Sequence, residues 1–235
     1  AVRPNGGTPR FEPYPADYDA GIRLLISRLP ETTVDGDPDP IVVDMPISRA
    51  TVVATRDFTE EDVPESQRSF WVADANGVVE VYLDAGARGG TPNFVVQVGT
   101  VLSFRATRIG RYQRKSQISA GTDWVEHGAN EPPHPELAAG PNAEVYIWSP
   151  DRELTQADSH RIVRITGQLD GTPEGCGSGN KCWRLNYGFG EPVIFRTAHE
   201  EAGTGQCVTY VGPVGFYRGN LQFDTTNLSW LRVYN

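Results

Sequence analysis

The stretches GRYQRKSQIS at 110–119 and GFYRGNLQF at 215–223 decide the fold of this chain. Each contains Gly, one residue, Tyr, and then Gln five places after the Tyr. The similarity continues upstream, where HRIVRITGQLD at 160–170 follows the pattern of SRATVVATRDF at 48–58. Because the matching segments occur in the same order, we interpret them as one structural unit that is written twice.

Each unit is rich in β-strand signals. In the first copy, SFWVADANGVVEVYLD predicts a hairpin that turns at Ala75-Asn76-Gly77, because Asn-Gly is a strong hairpin signal. A long strand follows, and we expect Gly110 to break it, since glycine inside a strand marks a bend or bulge. Small closed barrels need such bends at their corners. The predicted fold is all-β, with two tandem small five-stranded barrels of the oligonucleotide/oligosaccharide-binding (OB) type, preceded by an extended N-terminal segment.

The motifs resemble those of OB modules in exported bacterial proteins, similar to the modules appended to secreted nucleases. Those modules have a Phe-aromatic pair, Val-x-Asp, a hairpin, Val-Gly-x-Val, and Gly-x-Tyr-x-Gly-x-x-Gln. The residues that match are Phe70, Trp71, Val72, Asp74, Val98, Gly99, Val101, Gly110, Tyr112 and Gln117 in the first copy, and Cys182, Trp183, Gly205, Gly215, Tyr217, Gly219 and Gln222 in the second. The first copy departs from the motif, because Arg114-Lys115 stands where the final Gly is expected.

The repeat divides the chain into four parts. We place an N-terminal extension with a short helix or strand at 1–47, the first barrel at 48–127, a linker at 128–158 and the second barrel at 159–235. The extension contains four large apolar residues that need a partner, Ile22, Leu25, Ile26 and Leu29. Packing on the chain's own barrels is the default interpretation. The alternative is assembly, in which this segment docks on another subunit, for example as an added strand.

The charge of the chain is unevenly distributed. The net charge is −9, whereas a protein that binds nucleic acid over its whole surface is normally basic. Five cations nevertheless fall between 101 and 120, where there is no acid. The candidate binding residues, taken with the second copy's equivalents, are Arg105, Arg108, Arg111, Tyr112, Arg114, Lys115, Tyr217 and Arg218.

An aromatic among cations is the combination that binds single-stranded nucleic acid, because bases stack on the ring and phosphates need positive charge. On an alternating strand, however, Arg105 and Arg108 point to opposite faces unless a bulge intervenes. A solvated strand face whose arginines pair with acids such as Glu60, Glu61 and Asp62 is the other interpretation, with Tyr112 and Tyr217 as packing residues.

The cysteines allow a disulfide between Cys176 and Cys182 or between Cys182 and Cys207, with one thiol left over in either case. No cysteine or histidine cluster has the spacing of metal ligands. Asp35, Asp37 and Asp39 alternate as in calcium loops, but prolines lie between them, so we expect a solvated turn and keep a weak calcium site as the alternative. We find no catalytic motif and no cofactor motif.

These observations favour a non-enzymatic binding or assembly protein that makes protein or polymer contacts, such as an extracellular structural or filament subunit that associates with itself or with another extracellular protein. Single-stranded nucleic-acid binding around Tyr112 is the first alternative, and carbohydrate binding is the second. No apolar run is long enough for a membrane span,. The Pro- and Asp-rich opening is typical of the tether after a processing site, so we expect an extracytoplasmic protein.

Overall fold

The computed structural model describes residues 21–32, 36–56, 69–74, 77–83, 90–127, 147–159, 161–176, 180–217, 220–225 and 230–234. Within these ranges the chain is built of β-strands with one α-helix. No helix there is long and apolar enough to cross a membrane.

The first repeat unit forms a closed five-stranded barrel. Its elements are α1 (Gly21–Ser27), β1 (Ile41–Thr55), β2 (Ser69–Asp74), β3 (Gly77–Tyr82), β4 (Val101–Tyr112) and β5 (Lys115–His127). The strand order is β1-β2-β3-β5-β4, closing on β1, with β3 and β5 parallel. The predicted hairpin is confirmed by the antiparallel pairing of Asp74 with Gly77, while Ala75 and Asn76 lie outside the described residues. Since β1 begins at Ile41, the barrel includes residues upstream of the expected boundary at 48.

A bulge in β4 decides where its arginines lie. Leu102, Phe104 and Ala106 are buried in the barrel at alternate positions, but the next buried residue in this series is Ile109. The pairing with β5 shifts register between Ala106 and Arg108. The extra residue places Arg108 outside the barrel along with Arg105, which an unbroken alternation would not allow.

Helix α1 covers the first barrel's own core. Ile22 and Leu25 are fully buried and join the barrel's hydrophobic cluster together with Leu29, while Ile26 packs against its edge. The Ile22 N–H donates to Asp74 Oδ2 at 2.9 Å, which ties the first turn of the helix to the end of β2. The default interpretation therefore describes this segment, and the assembly interpretation is corrected, because these side chains are already covered within the chain.

The second repeat unit has the same strand order with two interruptions. Its elements are β6 (Ile147–Trp148), β7 (Ile162–Gly175), β8 (Lys181–Asn186), β9 (Val193–Thr197), β10 (Cys207–Pro213), β11 (Gly215–Tyr217), β12 (Asn220–Asp224) and β13 (Leu231–Tyr234). The hydrogen-bonded path runs β11-β12-β9-β8-β7-β10-β13. Only Val214 separates β10 from β11, so these two strands together correspond to β4. Strands β12 and β13 likewise correspond to β5, since they pair with β11 and β10 as β5 pairs with β4.

The motif that is repeated in the sequence is a hairpin in both barrels. Gly110 pairs with Gln117 and Tyr112 with Lys115 across the first hairpin. Gly215 pairs with Gln222 and Tyr217 with Asn220 across the second. A Cβ on Gly215 would lie 2.7 Å from the Gln222 carbonyl oxygen, which accounts for that glycine. The expected break at Gly110 is wrong, because β4 continues through it to Tyr112.

The two barrels pack directly on each other. Five residues from the outer face of the first barrel belong to the second barrel's hydrophobic cluster: Val53, Ala54, Trp71, Ala73 and Val78. The centre of this contact is an edge-to-face pair between Trp71 and Trp230, with ring centroids 5.4 Å apart. Edge-to-face packing of this kind adds to the stabilisation from apolar burial.

The part of the predicted linker that the structure describes is tied to the second barrel. Asp158 is buried and accepts two hydrogen bonds from Arg152, at 2.8 and 2.9 Å. The Leu154 N–H donates to the Tyr187 hydroxyl oxygen at 3.0 Å. Burial opposes ionisation of Asp158, but the hydrogen bonds from Arg152 and Thr155 outweigh it and lower the pKa of this carboxyl. Residues 147–159 are thus a packed segment of this barrel.

Candidate functional site: the open groove beside the second barrel

The strand register aligns the two barrels residue by residue. One residue from each of strands β2, β3 and β5 contributes to an outward-facing row across the first barrel. One residue from each of strands β8, β9 and β12 contributes to the equivalent row across the second barrel. The two rows are Trp71, Glu80 and Gln117 in the first barrel, and Arg184, Ile194 and Gln222 in the second. Trp71 therefore corresponds to Arg184. The sequence similarity pairs Trp71 with Trp183. This alignment is wrong by one residue, and a shift of one residue moves the side chain to the opposite face of the strand.

These equivalent faces have different surroundings. In the first barrel, Trp71 is 6% exposed because it packs in the second barrel's hydrophobic cluster, and Glu80 is 2% exposed in contact with Arg56 and Lys115. In the second barrel, the face is open and forms one wall of a groove of about 1290 Å³. The face of strands 2 and 3, with the loops beside it, is where OB barrels bind oligonucleotides and oligosaccharides. Part of the first barrel's face is thus used for packing, whereas the second barrel's face lines an open groove.

Both repeated hairpins contribute a tyrosine to this groove. Tyr112 and Tyr217 line it and are 56% and 42% exposed. Lys115 also lines the groove, and its Nζ lies 5.9 Å from the centroid of the Tyr112 ring. Two exposed aromatic rings and a cation, predicted from separate parts of the sequence, therefore meet at one surface.

The remaining predicted cations lie elsewhere. Arg105, Arg108, Arg111 and Arg114 do not line the groove. Arg105 forms an ion pair with Asp44 at 2.6 Å, and Arg111 donates to the Pro30 carbonyl oxygen at 2.8 Å. Arg105 and Arg111 on the outer face of β4 are thus engaged by Asp44 of β1 and by Pro30, whereas the acids expected to pair with them, Glu60, Glu61 and Asp62, lie outside the described residues. Arg218 lies outside the described residues.

A buried acid organises the first barrel's side of the groove. Glu80 pairs with Arg56 at 2.8 Å and with Lys115 at 3.4 Å, and the Gln117 amide donates to it at 3.3 Å. Burial by itself raises the pKa of the Glu80 carboxyl, but the attraction of Lys115 and Arg56, together with their hydrogen bonds, lowers it below the ordinary value. Glu80 is therefore ionised at neutral pH and anchors Lys115 beside Tyr112.

The groove also contains polar residues that sequence reasoning missed. Arg196 donates to Asp224 Oδ2 at 2.8 Å on the open face. Within the described part of the chain, the side chains of Arg184 and Gln222 have no hydrogen-bond partner, although both line the groove. Alternation within strands β8 and β12 is the signal that could have found them, since their neighbours Trp183 and Phe223 are buried in the core,.

The structure also shows where the three cysteines and one acid of the predicted calcium-type turn lie. Cys176 and Cys182 form a disulfide at the rim of the groove, and this is one of the two expected pairings. Cys207 is an exposed thiol. Asp37 accepts hydrogen bonds from the Arg114 N–H and the Thr32 hydroxyl, whereas Asp35 lies outside the described residues. No group of three or more potential metal ligands occurs in the described ranges.

The strand order defines a tandem OB-fold protein, and one face of its second barrel lines an open groove. No family model and no curated protein matches the sequence. Solved structures with a similar architecture include the Ifi202 HINa domain in complex with 20bp dsDNA, with 9% identity and a TM-score of 0.38 over 83% of this chain and 98% of that one. The tetrameric p202 HIN2 has 11% identity and a TM-score of 0.38, covering 85% and 97%. A Replication Protein A heterotrimer bound to ssDNA has 12% identity and a TM-score of 0.33, covering 87% and 51%. The similarity concerns the fold only.

Proposed function

We propose that this protein is a non-enzymatic binder of single-stranded nucleic acid, and that the strand lies in the groove beside the second barrel. The observation that carries the proposal is the placement of Tyr112 and Tyr217 on the same groove, both exposed. Unstacked bases pack on such rings, and each base that stacks contributes about 1–3 kcal/mol. The assembly role that the sequence favoured loses the observation that motivated it, because the apolar residues of α1 are covered by the chain itself.

The charges of the groove are compatible with a few phosphate contacts. Lys115 lines the groove beside Tyr112 and supplies one positive charge there, while it also contacts Glu80. Arg184 adds a second positive charge on the open face. Acids such as Glu174 and Glu191 also line the groove. We therefore expect a shallow salt dependence, with a slope of log K against log salt of about −1.4 for two phosphate contacts on a single strand.

We also propose that the protein works outside the cytoplasm. The disulfide between Cys176 and Cys182 supports this location, because disulfides persist in oxidising compartments and are rare in the cytosol. Mass spectrometry of the native material with and without a reductant would test this point, and a fully reduced native protein would contradict it.

Binding is tested by fluorescence anisotropy with a labelled thymidine oligonucleotide of about 12 nucleotides, a length in the range that OB folds occupy, at about 50 mM salt. Tyr112→Ala and Tyr217→Ala should each weaken binding by about tenfold, the lower part of the range for one stacked base. Tyr234→Ala is the matched control, because Tyr234 is 43% exposed but does not line the groove.

Two outcomes would overturn the proposal. One is the absence of detectable binding by the unmodified protein, and the other is an equal effect of all three tyrosine substitutions. If neutral oligosaccharides bind instead, and lose affinity in the same two groove variants, the groove is a carbohydrate site and not a nucleic-acid site.

A further inference from the structure

The open face of the second barrel contains two unpartnered polar side chains on either side of an apolar one. Arg184 and Gln222 occupy the strands that flank Ile194, and the register places all three in one row. Neighbouring strands are about 4.8 Å apart, so this row spans about 10 Å between its outer Cα atoms. A flat ring that rests on half-buried Ile194 would have the Arg184 guanidinium at one edge and the Gln222 amide at the other.

We infer that this row selects guanine, an inference that rests on the proposed binding of single-stranded nucleic acid. The guanidinium is a fork of donors that fits two adjacent acceptors, and guanine presents such a pair in O6 and N7. Across the ring from N7, guanine carries the N2–H₂ donor, which suits the Gln222 carbonyl oxygen. Asp224 lies two residues along the same strand and uses only Oδ2 to bind Arg196, so its Oδ1 is a second acceptor nearby.

The other bases match this row less well. Adenine has a donor beside N7, so the arginine fork finds only one acceptor. Cytosine can offer two acceptors to an arginine, but its opposite edge consists of C–H groups and leaves the Gln222 amide without a partner. Thymine has no pair of adjacent acceptors. A buried or half-buried polar group that is left unpaired weakens binding, and guanine is the base that satisfies both sides of the row.

Comparison of the two barrels supports this assignment. The positions equivalent to Arg184 and Ile194 are Trp71 and Glu80 in the first barrel; Trp71 is buried against the second barrel, and Glu80 is buried in contact with Arg56 and Lys115. The duplicated rows have therefore diverged, one towards packing and one towards free donors and acceptors. We accordingly place the base-reading site in the second barrel alone, with one site per chain.

The test compares a thymidine oligonucleotide with oligonucleotides in which isolated guanines, adenines or cytosines replace single thymidines. Isolated guanines avoid four-stranded structures. The guanine-containing strand should bind the unmodified protein about tenfold more tightly than thymidine alone, the effect of one good bidentate contact. Arg184→Lys loses the fork, so the ratio of the affinities for the guanine-containing strand and the thymidine strand should fall to about one. Arg232→Lys is the control, since Arg232 is exposed on β13 and does not line the groove.

The possible results distinguish the guanine inference from the proposed binding of single-stranded nucleic acid on which it rests. Equal binding of all four oligonucleotides by the unmodified protein, a preference for adenine or cytosine, or a guanine preference that survives in Arg184→Lys overturns the guanine inference and leaves the proposed function standing. Failure to bind any oligonucleotide overturns both.

Discussion

At the residue scale, the tip of the first barrel's hairpin has an unusual backbone conformation. Gln113 and Arg114 both have positive φ, at 49° and 70°. The left-handed region costs a non-glycine residue about 1–2 kcal/mol. The second hairpin has Gly219 at the position that corresponds to Arg114, and glycine adopts this conformation without a steric penalty.

We predict that Arg114→Gly stabilises the protein. The relief of strain exceeds the entropy that glycine loses on folding, so the free energy of unfolding should rise by about 0.5–1 kcal/mol. Urea denaturation measures this change. Thr107→Gly on β4, where φ is not positive, should instead destabilise the barrel, and a loss of stability in Arg114→Gly would contradict the argument.

A second residue-scale prediction concerns the buried carboxylate of Glu80. Its pKa is lower in the folded chain than the ordinary 4.5, so its stabilising effect is present above that value and is lost as the pH falls through the folded pKa. Glu80→Gln should cost at least about 2 kcal/mol at neutral pH, because Arg56 and Lys115 lose a charged hydrogen-bond partner. Urea denaturation at a series of pH values should show the difference between the two proteins shrinking below pH 4.5. A difference that does not change with pH would contradict this assignment.

At the element scale, α1 completes the first barrel. Leu25 is fully buried against the barrel, whereas Leu24 on the same helix is 40% exposed. Leu25→Ala should lower the free energy of unfolding by about 2–4 kcal/mol, through lost burial and the cavity that remains. Leu24→Ala should change it by less than about 0.5 kcal/mol, as expected for a surface position. Thermal or urea denaturation compares the two. Equal changes in the free energy of unfolding for the two variants would show that α1 does not cover the core of the first barrel.

The elements could be predicted from the sequence because their signals are local. Asn76-Gly77 marks the β2–β3 hairpin of the first barrel. The repeated Gly-x-Tyr marks one further hairpin in each barrel, as the register of Gly110 and Gly215 confirms. The position of the break in the long strand was not predictable. In the second barrel it falls at Val214, between Pro213 and Gly215, and in the first barrel β4 has no break. A glycine permits a bend, but the pairing on both sides decides whether the bend occurs.

At the scale of the whole molecule, the sequence could not show which OB face is free. The tyrosines and Lys115 were predicted, because their residue types suggest binding wherever they lie. Arg184 and Gln222 were missed, because their role depends on the register of three strands and on what covers the equivalent row. Trp71 and Arg184 are equivalent positions, but only the packing of one barrel on the other makes the first a core residue and the second a groove residue.

Trp71 is therefore the position at which the cooperation of the two barrels can be tested. Its ring packs edge-to-face on Trp230, and both residues are nearly fully buried. We expect the unmodified protein to unfold in one calorimetric transition, since the second hydrophobic cluster contains residues of both barrels. Trp71→Ala removes the centre of this contact and should cost about 3–5 kcal/mol, separating the transition into two.

Trp124→Ala provides the contrast, because Trp124 stacks on Phe104 within the first barrel, with centroids 4.4 Å apart. It should lower the melting temperature without dividing the transition, since the contact between the barrels is left in place. If Trp71→Ala also melts in a single transition, with equal calorimetric and van't Hoff enthalpies, the barrels are coupled by something other than this tryptophan pair. The coupling would then rest on the other apolar residues of the contact, such as Val53 and Val78, and Trp71 would be explained by the Arg56 guanidinium 5.4 Å from its ring centroid.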